Sequence, residues 1–595
     1  MKLNKGVLLL SIILTSCASN ISASTNSPST PESPSISEKT SESLSTTKPP
    51  RPHTHTLSEW EIVKEADLFN KGLKERHCLE DSYSETMEYY DLSEVKFEDK
   101  TYQYNGQEKE LRISGLLPKG IHVVYENNTQ TNVETKPKLA KANFVDEDGN
   151  IVETKEAYLS VVSNVGFPRI DINASTGIDS KTSYTDATIK VSNCESKYEL
   201  EGVNAGVRLR GNGTLEAPKK PYRIKFNEKQ NLLGLNDGAK TKSWVLLAEY
   251  YDYSMLRNAS AFMLGESLMD NKGYYSSDFK HVNLYVNNVF NGVYLLAEQQ
   301  QANKNRIDIY EPKENETNVD VGYLLELDEY KDGPVFYVDG SPYTAIDSNG
   351  KTGKLPTKAY AVKSDIYSNE QLNYIGKYTA NVFNIFYRAA VKGEYCKLDE
   401  NNNIIPSNFT NAYDAINNVI NVDSLIRSYI LQEIMKDVDV GFSSYYMYVD
   451  FSLTSKHNRM TFGAPWDFDW STGNITLSTE GRYNSTFFDH MNPWLFLLSR
   501  ADFFEELVKE YWTLFINSGV IDYVYSQIND ISVTYKDEFE HNFQKWKILG
   551  TRQHTYHSEE AYSVKSQIEA SSYFKGWLEK RVTYLSSIWK KENVL

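Results

Sequence analysis

The period of apolar residues changes several times along the chain, and each change predicts a different kind of segment. Val7 to Leu14, "VLLLSIIL", is an unbroken apolar run behind Lys2 and Lys5. It is too short to span a bilayer and reads as the core of a signal peptide. Residues 18–56 contain Ser, Thr and Pro with almost nothing to bury, which predicts a disordered, extended tether. Residues 57–92 follow with "SEWEIVKEADLFNKGLKERH", where Ser58 as a cap and Glu61 in capping-box spacing predict a helical segment. Over 93–165 the pattern shortens to alternating strands, "LRISGLL", "IHVVYEN", "AKANFV" and "EAYLSVV", punctuated by "NG", "PKG" and "EDGN". That predicts a small antiparallel sandwich.

From residue 166 to 595 strand and helix patterns mix. "PRIDINA", "ATIKVSN", "GVRLRGN", "PYRIKF", "HVNLYVN" and "GVYLLAE" alternate as strands do. "YSMLRNASAFMLGESLM", "VDSLIRSYILQEIMK" and most of Ala501 to Lys591 have helical spacing. Strands first and helices afterwards indicate an α+β body. Residues 330–415, rich in Gly, Asn and Tyr around a helical patch, read as an insertion within it. The stretch "YQYNGQEKELRISGLLPKGIHVVYENN" also resembles the bacterial Ig-like repeats of surface proteins, which implies a spacer or adhesion module.

Composition narrows the function classes. A net charge of −17 argues against a general nucleic-acid binder, which needs a basic face, but leaves room for a local site for a nucleotide–metal complex. Four cysteines without a CxxC pair supply neither a disulfide framework nor the usual zinc-finger spacing. The apolar leader ends in Leu14-Thr15-Ser16-Cys17, which resembles a bacterial lipobox. The resemblance implies cleavage before Cys17, lipidation of its thiol and a membrane-anchored lipoprotein outside the cytoplasm.

Three constellations carry candidate chemistry. "RLRGNGT", Arg208 to Thr214, and "KKPYRIKF", Lys219 to Phe226, describe two strands joined by a Gly-containing turn, with Arg223 and Lys225 on one face. Exposed backbone amides and cations of this kind hold polyphosphate, and a solvated basic hairpin is the alternative. In "QEIMKDVDVGFSSYYMYVD" a helix ends near Lys436 and Asp437 and Asp439 lie in the turn before an aromatic strand. Asp439 and Ser444 have the five-residue separation of a phosphoryl-transfer carboxylate and its metal ligand. "GAPWDFDWSTGN" sets Asp467 and Asp469 two apart among Trp466, Phe468 and Trp470. Paired carboxylates in apolar surroundings favour a divalent cation between them.

"GVRLRGNGTLEAPKKPYRIKF", "KSWVLLAEYYDYSMLRNASAFML", "VNLYVNNVFNGVYLLAEQ", "GYLLELD" and "APWDFDWSTGN", in this order, resemble the CotH family, spore coat protein H-like secreted kinases with an atypical protein-kinase-like fold. The resemblance covers roughly residues 166–595. It implies transfer of the γ-phosphoryl of ATP to Ser or Thr of surface or secreted proteins, with Mg²⁺ or Mn²⁺. Asp439 would be the catalytic carboxylate. Asp467 would hold the metal, with Asp469 behind it or as a further ligand and Ser444 nearby. Arg210, Gly211, Asn212 and Thr214 would form the nucleotide-facing turn. Lys225, or else Lys220, would contact phosphate, with Glu298 orienting it and Arg257 in a further family motif. Two departures stand out: Leu209 and Gly213 replace the Gly and Ser of the family's usual turn, which is expected to crowd the phosphate approach and to remove a hydroxyl. The competing reading is a noncatalytic surface protein that binds polysaccharide or protein on a kinase-like scaffold.

Overall fold

In the computed structural model, which describes residues 54–346, 351–476, 481–486 and 492–590, the segment expected to be helical forms a three-stranded antiparallel sheet. Its strands are Glu61–Lys64, Gly72–His77 and Ser84–Tyr89. The helix fails for local reasons. Asp67 Oδ1 accepts the amides of Phe69 at 2.7 Å and Asn70 at 2.8 Å, a side-chain turn that competes with helix propagation. Ser58 does not cap a helix; its amide donates to His77 O at 2.8 Å and its Oγ accepts the His77 amide at 3.1 Å. Arg76 pairs across the sheet with Glu85 and lies over Trp60 at 4.4 Å. The expected signal peptide, Cys17 and the expected tether up to residue 53 lie outside the described residues.

The expected sandwich region is an all-β unit. One sheet runs in the order Lys100–Gln103, Ile151–Val162, Lys138–Val145, His122–Glu126, with a two-stranded ribbon of Lys109–Glu110 and Thr129–Gln130. Its core is its own, built from residues such as Phe97, Tyr102, Ile113, Phe144 and Leu159. The unit, expected as a spacer or adhesion module, is bolted to the helices of the following body. Lys109 Nζ meets Asp530, and Asn105 Nδ2 donates to Asp530 at 3.0 Å and Thr534 at 2.8 Å. Buried Glu94 forms ion pairs with Lys272 at 2.6 Å and Arg427 at 2.8 Å. Removing one partner of such a buried pair is costly, so the two units are held as neighbours.

The body begins with a closed seven-stranded barrel, Arg169–Ala174, Thr185–Ser192, Leu200–Leu209, Tyr222–Gln230, Thr241–Leu247, Val289–Glu298 and Phe279–Val286, the last pairing parallel with the first. Alternation sends Ile170, Ile172, Ile189, Val207, Ile224, Phe226, Trp244 and Leu296 inward, and these fill the barrel. Beside it lies an antiparallel sheet ordered Val335–Val338, Lys358–Val362, Gly322–Leu327, Tyr445–Asp450, Thr461–Phe462. Residues 330–415, expected as an insertion, supply two of these five strands and the helix Asn369–Tyr387, started by a Ser368–Gln371 capping box. They are therefore part of the sheet that carries the site. The helix Val422–Met435 packs on the strand Thr461–Phe462, and Phe504–Asn517 and Gln567–Trp589 pack in turn on that helix, with Val520–Thr534 against Arg257–Leu268.

Barrel and sheet are joined by a separate core in which Val245, Leu247, Leu295 and Ala297 meet Leu324, Tyr446 and Tyr448, with Phe262 and Trp466 between them. Half-buried Arg210, Arg223, Asp439 and Asp467 collect at the edge of this seam, in a region called the cleft below. The helix Arg257–Leu268 runs beneath it and is buried on nearly every side, as its lack of a polar stripe requires.

Candidate active site

The cleft floor is built at the end of the helix Val422–Met435. Lys436 takes a left-handed conformation (φ +53°), its amide closes the last turn on Gln432 O at 2.7 Å, and its ammonium is held by Arg482 O at 2.6 Å and Ser485 Oγ at 2.7 Å. The following turn carries Asp437 inward and Asp439 to the cleft. Asp437 Oδ1 accepts the Asp439 amide at 3.1 Å, and Asp439 O accepts the amides of Phe442 and Ser443 at 2.7 and 2.9 Å. The turn is thus fixed from within before the strand Tyr445–Asp450 begins.

Ser444, at φ +61°, enters that strand with its amide on Glu326 Oε1 at 2.8 Å and its Oγ donating to Asp467 Oδ2 at 3.2 Å. Glu326 is in turn paired with Lys363 at 3.0 Å, which also reaches Asp328 at 2.9 Å. Asp467 itself sits at φ +71°, an expensive conformation for a residue with a side chain, and one that persists only where its surroundings enforce it. Those surroundings are visible: the Phe468 amide donates to Asn258 Oδ1 at 2.7 Å, and Asn258 Nδ2 donates to Glu249 Oε1 at 3.0 Å.

The electrostatics separate the carboxylates by role. Asp439 and Asp467 are half-buried and face the cleft, while Asp437 and Asp469 are buried behind them. Burial, and then the nearby Asp467 charge, push the Asp439 carboxyl up to about 7. Burial is also the leading cause that raises Asp437 and Asp469 well above the carboxylate range, with Asp439 and Asp467 respectively as the next contributors. A divalent cation at Asp439 and Asp467 would remove this conflict. The donor set fits one: two carboxylates and the Ser444 hydroxyl, oxygen only. Among the described residues no three carboxylates bring their oxygens within 4.8 Å, which suits a cation that takes its remaining ligands from water and phosphate rather than a closed protein cage.

Opposite lies the turn from Arg210 to Thr214. Gly211 has φ +89°, and a Cβ there would lie 2.2 Å from Thr214 Oγ1, so this position requires glycine. Asn212 Oδ1 accepts from Lys181, whose ammonium also lies 3.5 Å from Asp332, just before the strand Val335–Val338. Leu209 packs against the barrel core, so it does not crowd the turn as its departure from the family pattern led us to expect. The Arg210 guanidinium stands 5.4 Å from the Trp466 ring, next to Asp467 in sequence. Arg223 is half-buried beside it. Burial foremost, and the neighbouring Arg208, Arg210 and Arg306 charges, pull its guanidinium below the usual arginine range. Its Nη2 reaches only a hydroxyl, Ser243 Oγ at 3.3 Å, and its buried Nε has no hydrogen-bond partner. Arg306 is paired with Glu298, but among the described residues Arg210 and Arg223 form no ion pair, which leaves two guanidiniums for an anion.

Several expected site residues are placed elsewhere. Lys225 is exposed on the barrel wall, 5.9 Å from the Tyr184 ring, and forms no pair with Glu298. Glu298 is buried against Arg306 at 3.0 Å, where Arg306 also holds Thr241 Oγ1 and Ser243 O. Lys220 donates to Leu215 O at 2.5 Å and braces the turn from inside. Arg257 is buried: its guanidinium joins Asp252 to Ser471 O and Thr472 Oγ1, each at 3.1 Å, so it positions the loop after Asp469 and does not face the cleft. Reasoning from sequence noted Arg223, Trp466 and Asp437 without giving them a role of their own, and left out Glu326 and Lys363. Arg223 had a signal in its alternation with Tyr222 and Ile224, and Glu326 in being a lone acid within "GYLLEL"; Lys363 had none.

A family model described as CotH kinase protein matches residues 207–585. No curated protein matches the chain. That match spans the turn at Arg210, the Asp437–Ser444 turn, the Asp467 loop and the closing helices, well over half of the sequence, and the chain therefore belongs to the CotH kinase family.

Proposed function

We propose that this protein is an extracytoplasmic, metal-dependent kinase that transfers the γ-phosphoryl of ATP to Ser or Thr hydroxyls of surface or secreted proteins. The observation that carries the reading is what meets at one edge of the barrel–sheet seam: half-buried Asp439 and Asp467 close enough to interact, and beside them Arg210, against the Trp466 ring, and Arg223, neither in an ion pair among the described residues. Mg²⁺ or Mn²⁺, held by Asp467 with Ser444 beside it and close enough to Asp439 to relieve the repulsion between the two carboxylates, would neutralise charge on the phosphates. Asp439 orients the acceptor hydroxyl and takes its proton as the oxygen attacks the γ-phosphorus, the bond to the β–γ bridging oxygen breaks, and ADP leaves. Arg210 and Arg223 hold phosphate oxygens through directional N–H donors. Buried Asp437 braces the turn that carries Asp439 by accepting its amide, and the loop after Asp467 is tied by Asn474 Nδ2 donating to Asp469 O at 2.7 Å. The lipobox at Cys17 and the resemblance of the 93–165 unit to Ig-like repeats support a membrane-anchored, cell-surface setting.

The test is the thermal stability of the purified protein with and without Mn-ATP, beside Asp467→Ala, followed by incubation with γ-labelled ATP. Bound nucleotide stabilises the native state by RT ln(1 + [L]/Kd). A melting shift that Asp467→Ala abolishes, together with label on the protein or an added acceptor, is the expected result. A folded wild type with neither shift nor label would refute the reading in favour of a scaffold that binds polysaccharide or protein.

A further inference from the structure

Far along the chain from the cleft, His55, Cys78 and Asp81 bring one ligand atom each within 4.8 Å of the others, and among the described residues this is the one such group of His, Cys, Asp or Glu. Two backbone segments build it. Residues 56 and 57 pair with 78 and 79, through the Leu79 amide on Thr56 O at 2.9 Å and the Leu57–Cys78 bridge, which lays His55 alongside the turn that follows Cys78. That turn is tightly specified: the Cys78 amide donates to Tyr83 O at 2.8 Å, Asp81 Oδ1 accepts the Tyr83 amide at 3.0 Å, and the Glu80 amide points at Cys78 Sγ from 3.5 Å. The His55 ring is stacked on Tyr83 with centroids 4.1 Å apart and planes within 6°, so its orientation is fixed too.

We propose that these three side chains bind a transition-metal ion of the zinc type, in a structural site that fastens the start of the folded region to the three-stranded sheet. The donor set of thiolate, imidazole and carboxylate is that of zinc, and Mg²⁺ and Ca²⁺ avoid sulfur. The spacing agrees. Zinc–nitrogen and zinc–oxygen bonds of about 2.0–2.1 Å at a tetrahedral angle put the two ligand atoms about 3.3 Å apart, and His55 Nδ1 lies 3.3 Å from Asp81 Oδ2. Cys78 binds as the thiolate, giving its proton to solvent, and water completes the fourth position.

The sheet has a physical need for such a staple. All four residues of its first strand are exposed, and Leu68 and Cys78 are the only apolar side chains of 57–90 in the buried core. Leu68 serves the far end, where it and Phe69 dock on the body beside Tyr511. Cys78, at the other end, belongs to no buried apolar cluster of the described residues, and three strands without a core of their own are marginal in water.

Cobalt(II) gives the decisive measurement. The full chain, freed of metal by chelator and dialysis, is titrated with Co²⁺ and watched for a thiolate-to-cobalt charge-transfer band, which an all-oxygen site at Asp439 and Asp467 does not produce. The expected result is a band that saturates at one equivalent, survives in Asp467→Ala and Cys194→Ser, and disappears in Cys78→Ser. Asp81→Asn should weaken binding by at least about tenfold, the least that disturbing a metal site costs. In the unmutated protein, Zn²⁺ should slow alkylation of Cys78 relative to Cys396, a readout that needs no variant. Absence of the band together with unchanged Cys78 alkylation would overturn the proposal, as would a band that persists in Cys78→Ser.

Discussion

Replacing Arg257 with Met should loosen the loop that presents Asp467 although Arg257 lies outside the cleft. The guanidinium binds Asp252 through Nη1, Ser254 Oγ at 3.3 Å, Ser471 O and Thr472 Oγ1 at 3.1 Å, and Thr472 O at 3.3 Å. Removing one partner of a buried ion pair costs about 3–5 kcal/mol, because the other charge stays behind without compensation. Here the lower end applies, about 3 kcal/mol, since Asp252 keeps four other donors, the Ser254 amide and hydroxyl and the amides of Leu256 and Arg257. Urea unfolding of Arg257→Met and wild type, with the slope measured for both, gives the cost directly. A cycle with Asp252→Asn should be non-additive by more than about 0.5 kcal/mol, as is usual for groups in one network. Because Ser471 and Thr472 are two to three residues beyond Asp469, Mn-ATP stabilisation should also fall in the variant. A cost below about 1 kcal/mol, the scale of one ordinary hydrogen bond, or strict additivity with Asp252→Asn, would refute the assignment of Arg257 as the residue that positions this loop.

Arg223→Met removes a guanidinium crowded by Arg208, Arg210 and Arg306, so the nucleotide-free protein should melt at a higher temperature while Mn-ATP affinity drops by at least about tenfold, or ~1.4 kcal/mol. Unchanged Mn-ATP stabilisation would remove Arg223 from the phosphate site. The Asp439 carboxyl, raised to about 7 in the folded state, binds its proton more tightly there than when unfolded, where it titrates near about 4. Its contribution is therefore present below about pH 4 and lost as pH rises to about 7, by at most about 4 kcal/mol before screening by water at this half-exposed group. Metal-free wild type should lose stability relative to Asp439→Asn over that window, and Mn²⁺ should abolish the loss; a flat difference between the two pH profiles would contradict it.

Local spacing determined a good part of this protein. Alternation marked the barrel strands because a strand buried on one side repeats every second residue, and "RLRGNGT" and "WDFDW" were legible because a glycine turn and a carboxylate pair are short-range features. The turn holding Asp437 and Asp439 followed for the same reason, being written in the few residues after a helix end.

The partners of these groups belong to the tertiary structure. Arg223 and Lys225 share one strand face, and only the packing of barrel on sheet leaves Arg223 at the cleft and Lys225 in solvent. Glu298 chose Arg306 and Arg257 chose Asp252 and the loop at Ser471, contacts set by chain segments that meet only in the fold. The same holds for residues 57–92. Their helical spacing was real, but pairing of Ser58 with His77 and of Arg76 with Glu85, together with the Asp67 turn, made strands the better solution. Propensity acts through tenths of a kcal/mol per residue, and a set of cross-strand bonds and ion pairs outweighs it. His55, Cys78 and Asp81 likewise become neighbours only because that sheet forms.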